Sequence, residues 1–288
     1  EPVAEPHVRL TNVTKRFSAA NEDLTALEGI TIDVGRSEFF SLLGPSGCGK
    51  STLLRIIGGL LEPTSGYVTI EGQNPAAAQA EKALGFVFQE PSLLPWRTVI
   101  GNIQLPLDIR RRNHPDGERA ADELLRLVGL ERFGRYYPFQ LSGGMQQRVS
   151  LARVLSFNPS LLLMDEPFGA LDEITRATMR YELLRIWDAD QKTVVFVTHS
   201  IAEAIILSDR VAVLSSQPGQ VKGIVDFHLS SLPSTEVIVS SGTNSALLED
   251  LRVNLNRLIN GINLNLLELF IRDLIRFVEE GLLIDRRG

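Results

Sequence analysis

The sequence predicts an α/β protein built on a mainly parallel β-sheet that helices cover on both faces. Short apolar segments at 161–164 (LLLM) and 193–198 (TVVFVT) are typical of strands buried on both sides. Helical patterns at about 172–188 and 201–209 alternate with them, as the crossover connections of a parallel sheet require. Residues 8–43 predict further strands, because VRLTNV and ITIDV alternate apolar and polar side chains.

The composition of the 288-residue chain excludes several classes of protein. Its net charge of -6 and pI near 5.4 give no support for nucleic acid as a partner. The single cysteine, Cys48, excludes an internal disulfide and fits a reducing compartment. The first residues lack the basic start and apolar core of a signal peptide. No run of about 18 apolar residues predicts a membrane-spanning helix.

After about residue 228, the sequence no longer alternates between strand and helix patterns. The serine-, threonine- and proline-rich stretch at 229–246 predicts a linker. Residues 247–288 predict two amphipathic helices joined by the turn NGINLN, because apolar residues recur there at steps of three or four. These helices either bury their apolar faces on each other or on the main domain, or form a hairpin that docks on a partner protein.

The segment GPSGCGKS at 44–51 matches the phosphate-binding pattern G-x-x-x-x-G-K-[ST] in full. Its glycines let the loop turn tightly and bring backbone N–H groups onto phosphate oxygens. Lys50 is then placed to reach the terminal phosphates of a nucleotide, and the Ser51 hydroxyl to bind Mg²⁺. A glycine-rich turn without a ligand is the alternative, but the apolar strand before the loop and the helix after it favour a phosphate site.

Two acidic residues and a histidine follow two later buried strands. Because ligands bind at the carboxyl ends of parallel strands, Asp165, Glu166 and His199 are expected at one edge of the sheet. Asp165 is placed to hold Mg²⁺, largely through water, and Glu166 to act as the general base for an attacking water. His199 is predicted to contact the γ-phosphate, with a surface or capping role as the alternative. For the two acids, the alternative is a solvated loop.

A second anion site is predicted from LSGGMQQR at 141–148, where a serine and two glycines open a helix. Backbone N–H groups at a helix N-terminus attract anions, so one chain would carry two such sites. Taken alone, however, this segment is better interpreted as an ordinary Gly-Gly turn before a helix.

Together, GPSGCGKST, FVFQE, LSGGMQQR, LLLMDEPFGALD and VTHS resemble the motifs of ATP-binding cassette (ABC) transporter ATPases in order and spacing. The resemblance covers about residues 8–228. It implies a P-loop cassette with a mainly parallel core, an antiparallel β part and a helical subdomain at about 90–158. Within the family, SLLPWRTVIGNI and DEPFGALD are similar to the ATPases of nitrate, sulfonate, taurine and bicarbonate importers.

The resemblance also implies a composite site. Two ATPases of this family dimerise head to tail, and each ATP, with Mg²⁺, lies between the P-loop of one copy and the LSGG segment of the other. Phe17 is expected to stack on adenine, with a core aromatic as the alternative. Gln89 is expected to reach Mg²⁺ and the attacking water, and Asp172 to lie in the loop that crosses the dimer interface.

The expected site residues fall into three groups. The residues expected to bind ATP are Phe17, Gly44, Pro45, Ser46, Gly47, Cys48, Gly49, Lys50, Ser51, Thr52, Gln89, Ser142, Gly143, Gly144 and Asp172. Those expected to hold Mg²⁺ are Ser51, Gln89 and Asp165, and those expected to act in catalysis are Glu166, His199 and Gln89.

The implied function is the ATPase subunit of an importer, peripheral to the cytoplasmic face of the inner membrane. Its implied partners are integral permease subunits, a second identical or paralogous ATPase and, indirectly, a solute-binding protein. A soluble ABC ATPase without a transport role is one alternative, although such proteins usually carry a coiled-coil insertion or two fused cassettes. A nucleotide-binding scaffold without hydrolysis is the other, and Glu166 argues against it.

Cys48 carries a prediction of its own. It lies just before a helix N-terminus and close to Lys50, an environment that lowers a thiol pKa. We therefore expect thiol-alkylating reagents to inactivate the enzyme and MgATP to protect it. A buried, inert cysteine is the alternative.

Overall fold

The computed structural model describes residues 5–19, 22–81, 83–110, 121–169 and 171–226. The predicted linker at 229–246 and the predicted C-terminal helices at 247–288 lie outside the described residues. The strands are Val8–Ala19 (β1), Glu22–Val34 (β2), Phe39–Leu43 (β3), Ser65–Ile70 (β4), Leu84–Val87 (β5), Leu161–Asp165 (β6), Thr193–Thr198 (β7), Arg210–Leu214 (β8) and Val221–Asp226 (β9). The α-helices are Lys50–Ile57 (α1), Pro75–Ala80 (α2), Val99–Ile103 (α3), Leu105–Arg110 (α4), Ala121–Leu127 (α5), Gly143–Leu155 (α6), Glu173–Asp190 (α7) and Ile201–Leu207 (α8).

Two sheets organise these elements. The larger has six strands in the order β5-β6-β7-β3-β8-β9, and every neighbouring pair is parallel except β8 and β9. Strands β3, β6 and β7 are buried along their whole length, which explains their uninterrupted apolar sequences. The smaller sheet is antiparallel, in the order β2-β1-β4. The predicted fold class is confirmed.

The larger sheet separates two hydrophobic clusters. Side chains of β6 alternate between them: Leu162 and Met164 join a cluster with α3, α5, α6 and α7, whereas Leu161 and Leu163 join a cluster with α1 and the antiparallel sheet. The helical region expected from the sequence therefore packs on one face. The helix that follows the P-loop packs on the other face.

Several helices begin at a polar side chain that caps them. Ser142 accepts a hydrogen bond from the backbone N–H of Met145 and caps α6. Asp172 accepts one from Thr175 at 3.0 Å and caps α7, so this helix begins at 173 and not at the predicted residue 172.

Helix α2 was not predicted from the sequence. Asn74 caps it by accepting a hydrogen bond from Ala77 at 2.9 Å, and Pro75 occupies its first position. An asparagine cap followed by proline is a helix-start signal, so the segment contained the information needed to predict this element.

The P-loop lies directly against strand β2. Gly49 has a φ of 96°, and a Cβ atom there would lie only 2.9 Å from the Ala26 carbonyl oxygen and 2.7 Å from Leu27 Cδ2. Gly47 also has a positive φ, of 78°, but a Cβ atom there would meet nothing within 4 Å. Gly49 is thus required by packing as well as by backbone conformation, whereas Gly47 is required by conformation alone.

This difference predicts unequal effects of alanine at the two glycines. Gly47→Ala should lower the free energy of unfolding by about 1–2 kcal/mol, because only the left-handed conformation is penalised. Gly49→Ala should cost about 1–3 kcal/mol more, because the added methyl group collides with the main chain of β2. Urea unfolding of both variants without nucleotide measures the two costs. Equal losses would mean that the P-loop does not rest on β2 through Gly49.

Candidate functional site

Four parallel strands end at the same edge of the larger sheet, and each leads into a predicted site residue. Strand β3 leads into the P-loop, β5 into the segment that contains Gln89, β6 into Asp165 and Glu166, and β7 into His199. Crevices at the carboxyl ends of parallel strands are where ligands bind in such sheets. Contacts among these segments hold them close together.

The Lys50 ammonium lies inside the P-loop. It donates hydrogen bonds to the carbonyl oxygens of Gly44 at 2.7 Å and Pro45 at 3.0 Å, and its side chain is only 4% exposed. The Glu166 carboxylate lies 3.8 Å away. A buried ammonium is costly unless it is paired and hydrogen-bonded, and the loop and the acid supply both conditions.

Ser51 and Asp165 form the second part of the site. The Ser51 hydroxyl donates a hydrogen bond of 2.7 Å to Asp165 Oδ1. Burial raises the pKa of Asp165, and the bond from Ser51 partly opposes this shift. Hydroxyl and carboxylate oxygens are ligands that Mg²⁺ prefers. Within the described residues there is no group of three or more His, Cys, Asp or Glu that could hold a metal ion. As a donor set, a hydroxyl and a carboxylate are compatible with a Mg²⁺ that takes its other ligands from phosphate and water.

Glu166 and His199 form the third part. His199 Nδ1 lies 3.0 Å from Glu166 Oε2, so the carboxylate of Glu166 sits between the imidazole and the Lys50 ammonium. Glu166 has a φ of 43°, in the left-handed region, and its backbone N–H donates to the carbonyl of Val197 on β7. Non-glycine residues in that region are held there by their surroundings and cluster at functional sites.

Gln89 lies beside the turn that follows Glu166. Its Nε2 atom lies 3.8 Å from where a Cβ atom of Gly169 would stand, and Gly169 donates a backbone hydrogen bond to Glu166. The edge of the sheet thus brings the P-loop, both acids, the histidine and this glutamine into one neighbourhood.

Other predicted residues lie outside this cluster. Phe17 is 40% exposed in the antiparallel sheet, where the Lys15 ammonium lies 5.2 Å from the centre of its ring. This exposure contradicts a place in the core. Ser142 is also exposed and, within the described chain, shares no hydrogen bond with the P-loop.

The LSGG segment packs against the beginning of α7. A Cβ atom at Gly144 would lie 2.7 Å from Thr175 Cγ2, so the close approach of the two segments requires glycine at this position. Asp172, which caps α7, is exposed beside this contact. The two segments expected at a dimer interface therefore lie together on one chain.

The prediction of a lowered Cys48 pKa is wrong. The side chain is only 1% exposed, and burial raises the pKa of the thiol while Lys50 opposes the shift more weakly. A Cβ atom at Gly44 would lie 2.9 Å from Cys48 Sγ, which shows how tightly the loop closes over the sulfur. Desolvation outweighs the nearby positive charge, because the side chain points into the hydrophobic cluster beneath the loop.

One ion pair near this cluster was not predicted from the sequence. Arg176 on α7 donates hydrogen bonds to the carbonyls of Phe168 and Leu171, and it lies 3.8 Å from the buried carboxylate of Glu203 on α8. The Thr198 hydroxyl donates to that same carboxylate. The turn after Glu166 is thereby tied to the residue before His199. No motif marked Arg176 or Glu203, although an acid within the apolar helix IAEAIIL was a signal of a buried partner.

Comparison with known proteins establishes the family. The family described as ABC transporter matches residues 27–169. An uncharacterized ABC transporter ATP-binding protein of Methanocaldococcus jannaschii is 48% identical over 224 residues, which cover 77% of this chain and 82% of that protein. The chain belongs to the ABC transporter ATP-binding proteins. It is therefore an ATPase with the P-loop fold, and its family binds ATP.

Other ABC ATP-binding relatives carry the names of importers. The taurine import ATP-binding protein of Rhizobium johnstonii is 48% identical over 196 residues, covering 68% of this chain and 74% of that protein. The aliphatic sulfonates import ATP-binding protein of Bacillus thuringiensis subsp. konkukian is 42% identical over 223 residues, covering 77% and 87%. This ABC protein thus lies among the importer ATP-binding subunits.

A solved bacterial ABC transporter cassette has the same fold. It is described as dimeric, is 38% identical and superposes with a TM-score of 0.67 over 76% of this chain and 98% of its own. A second structure of that cassette, bound to ADP and phosphate, gives a TM-score of 0.65. No helix in the part of the chain that the structure describes is long and apolar enough to cross a membrane.

The burial of Cys48 predicts that its thiol reacts slowly with thiol reagents. At pH 8 a chromogenic disulfide reagent should react with the folded protein on the order of tenfold or more slowly than with the protein in urea, because both burial and a raised pKa suppress the reactive thiolate. Absorbance of the released reagent measures both rates. Equal rates in the folded and unfolded protein would contradict this account, as would strong protection by MgATP of a fast reaction.

Proposed function

We propose that this ATPase powers an importer of a small anion such as a sulfonate, taurine, nitrate or bicarbonate. It would act as a peripheral subunit on the cytoplasmic face of a permease, with a second ATPase beside it. Relatives named for taurine and aliphatic sulfonate import support this solute class, as does the segment SLLPWRTVIGNI. Hydrolysis is carried by one observation: the Glu166 carboxylate lies between Lys50 and His199 at the P-loop.

In the proposed reaction, Glu166 accepts the proton of the water that attacks the γ-phosphorus of ATP, while the bond from that phosphorus to the β–γ bridging oxygen breaks and ADP leaves with phosphate as the second product. His199, at 3.0 Å, orients the carboxylate, and the Lys50 ammonium offsets the charge of the phosphate oxygens. Ser51 and Asp165 would hold Mg²⁺, which would supply positive charge to neutralise the phosphates. Gln89, beside the turn after Glu166, would orient the water.

The LSGG segment would complete the site of a second subunit. Its residues Ser142 and Gly143 are exposed at the N-terminus of the 13-residue helix α6, where backbone N–H groups attract anions. A Cβ atom at Gly143 would meet nothing within 4 Å, so the face is open to an approaching phosphate. These observations support a role across a dimer interface, with Asp172 beside it.

The proposed base predicts the behaviour of Glu166→Gln. Turnover should fall by about 10²–10⁴, because glutamine keeps the shape of the side chain but cannot take a proton. ATP binding should persist, and ATP should trap a dimer that size-exclusion chromatography detects. Glu131→Gln, in the short 3-10 helix Glu131–Phe133, is the control and should hydrolyse ATP normally. Wild-type turnover in Glu166→Gln would remove Glu166 from this role.

The proposed composite site predicts the outcome of mixing two defective chains. Lys50→Ala damages the P-loop half and Ser142→Arg damages the LSGG half. A mixed dimer would then have one site with both lesions and one with none, so it should bind one ATP. Two affinity tags isolate the mixed dimer, and bound nucleotide is counted. Equal damage at both sites would show that each LSGG segment serves its own chain.

A further inference from the structure

Helix α6 holds the main chain on both sides of Gln89. The Gln147 side-chain amide donates a hydrogen bond of 3.2 Å to the carbonyl of Phe88, immediately before Gln89. The Arg153 guanidinium donates bonds of 2.8 Å to the carbonyls of Pro91 and Ser92, just after it. We call residues 88–92 the Gln89 loop. One helix thus binds both ends of a short exposed loop through side chains that lie almost two turns apart.

The Arg153 contact is specific in geometry. Two nitrogen atoms of its planar guanidinium bind two successive carbonyls, an arrangement that lysine cannot reproduce. Partial burial removes water from the Arg153 guanidinium and lowers its pKa, and the hydrogen bonds to the loop carbonyls compensate for part of this lost hydration. The Ser150 hydroxyl, one turn earlier on α6, lies 3.5 Å from the same guanidinium.

The loop takes a shape that needs support. Ser92 has a φ of 47°, in the left-handed region that non-glycine residues adopt only when their surroundings hold them there. The Ser92 hydroxyl also donates to the carbonyl of Glu90 at 3.2 Å. The carbonyl of this strained residue is one of the two that Arg153 binds. Arg153 therefore stabilises the conformation that directs Gln89 towards the turn after Glu166.

We infer that Arg153, assisted by Gln147, is a positioning residue for Gln89, so that α6 joins the LSGG segment and the Gln89 loop into one mechanical unit. Ser142 caps the same helix at its other end. This inference rests on the proposed role of Gln89.

The variant Arg153→Lys tests the inference in the full-length chain. Lysine keeps the positive charge but has only one nitrogen, so it cannot bind both carbonyls as arginine does. The kcat should therefore fall about tenfold, the effect expected from losing one charge-assisted hydrogen bond. The KM for ATP should change less than twofold, because the P-loop is untouched. Hydrogen exchange in a peptide spanning residues 88–92 should accelerate.

Arg210→Lys is the control. Like Arg153, Arg210 on β8 is partly buried, and its guanidinium donates a hydrogen bond of 3.0 Å to a main-chain carbonyl, that of Asp33, which lies outside the Gln89 loop. It should leave kcat and exchange in the Gln89 loop unchanged. Thermal unfolding of both variants shows whether they are equally folded.

A double-mutant cycle decides whether Arg153 acts through Gln89. In a Gln89→Ala background, Arg153→Lys should lower kcat by less than twofold, since the residue it positions is gone. A full tenfold loss in that background, or equal losses in Arg210→Lys and Arg153→Lys, would overturn the inference and leave Arg153 with a structural role only. Unchanged hydrogen exchange in the loop would overturn it as well.

The failure of this inference is distinct from a failure of the proposed function. The cycle compares ratios between variants, whereas the proposed function depends on the turnover of the unaltered chain and of Glu166→Gln. Hydrogen exchange in the Gln89 loop needs no turnover at all, so it tests the Arg153 contact even if Glu166 is not the base.

Discussion

The buried ammonium of Lys50 is the interaction around which the site is organised. A positive charge that is 4% exposed requires compensation, and it receives two carbonyls of its own loop and the carboxylate of Glu166. The loop must curl tightly to present those carbonyls, which explains its glycines. Strand β6 must end where it does to present the acid. The same charge that shapes the loop in this way is the one that a triphosphate would meet.

The larger sheet separates the P-loop from the LSGG segment, because the two pack on opposite faces of it. The P-loop and α1 belong to the hydrophobic cluster on one face, while the LSGG helix α6 belongs to the cluster on the other. The P-loop and the LSGG segment are consequently attached to opposite faces of one sheet. The central strands β3, β6 and β7 are buried along their whole length. The Gln89 loop follows β5 at the edge of this sheet, where α6 binds its main chain.

Motifs predicted most of the side chains that cluster at the sheet edge, because Asp165 and Glu166 stand at the end of β6 and Lys50 ends the loop that follows β3. What the sequence could not reveal depends on contacts between distant segments. Cys48 was misjudged because its sequence shows it between glycines and close to a lysine, whereas its neighbours in space are apolar. Arg153 carried no signal because it binds main-chain carbonyls about sixty residues away, and a carbonyl leaves no trace in the residue type. The roles proposed for Phe17 at adenine and for Ser142 and Asp172 across a dimer rest on resemblance.

The position of Cys48 beneath the P-loop has a consequence for how this site tolerates variation. Its sulfur fills the space under Gly44 and belongs to the apolar cluster that supports α1, so it serves as a small hydrophobic spacer. The volume of this one side chain sets how far the loop stands above the core. A smaller residue would leave a void under the nucleotide, and a larger one would lift the loop. We therefore expect the size of the side chain at position 48, rather than the reactivity of a thiol, to decide which substitutions the site tolerates.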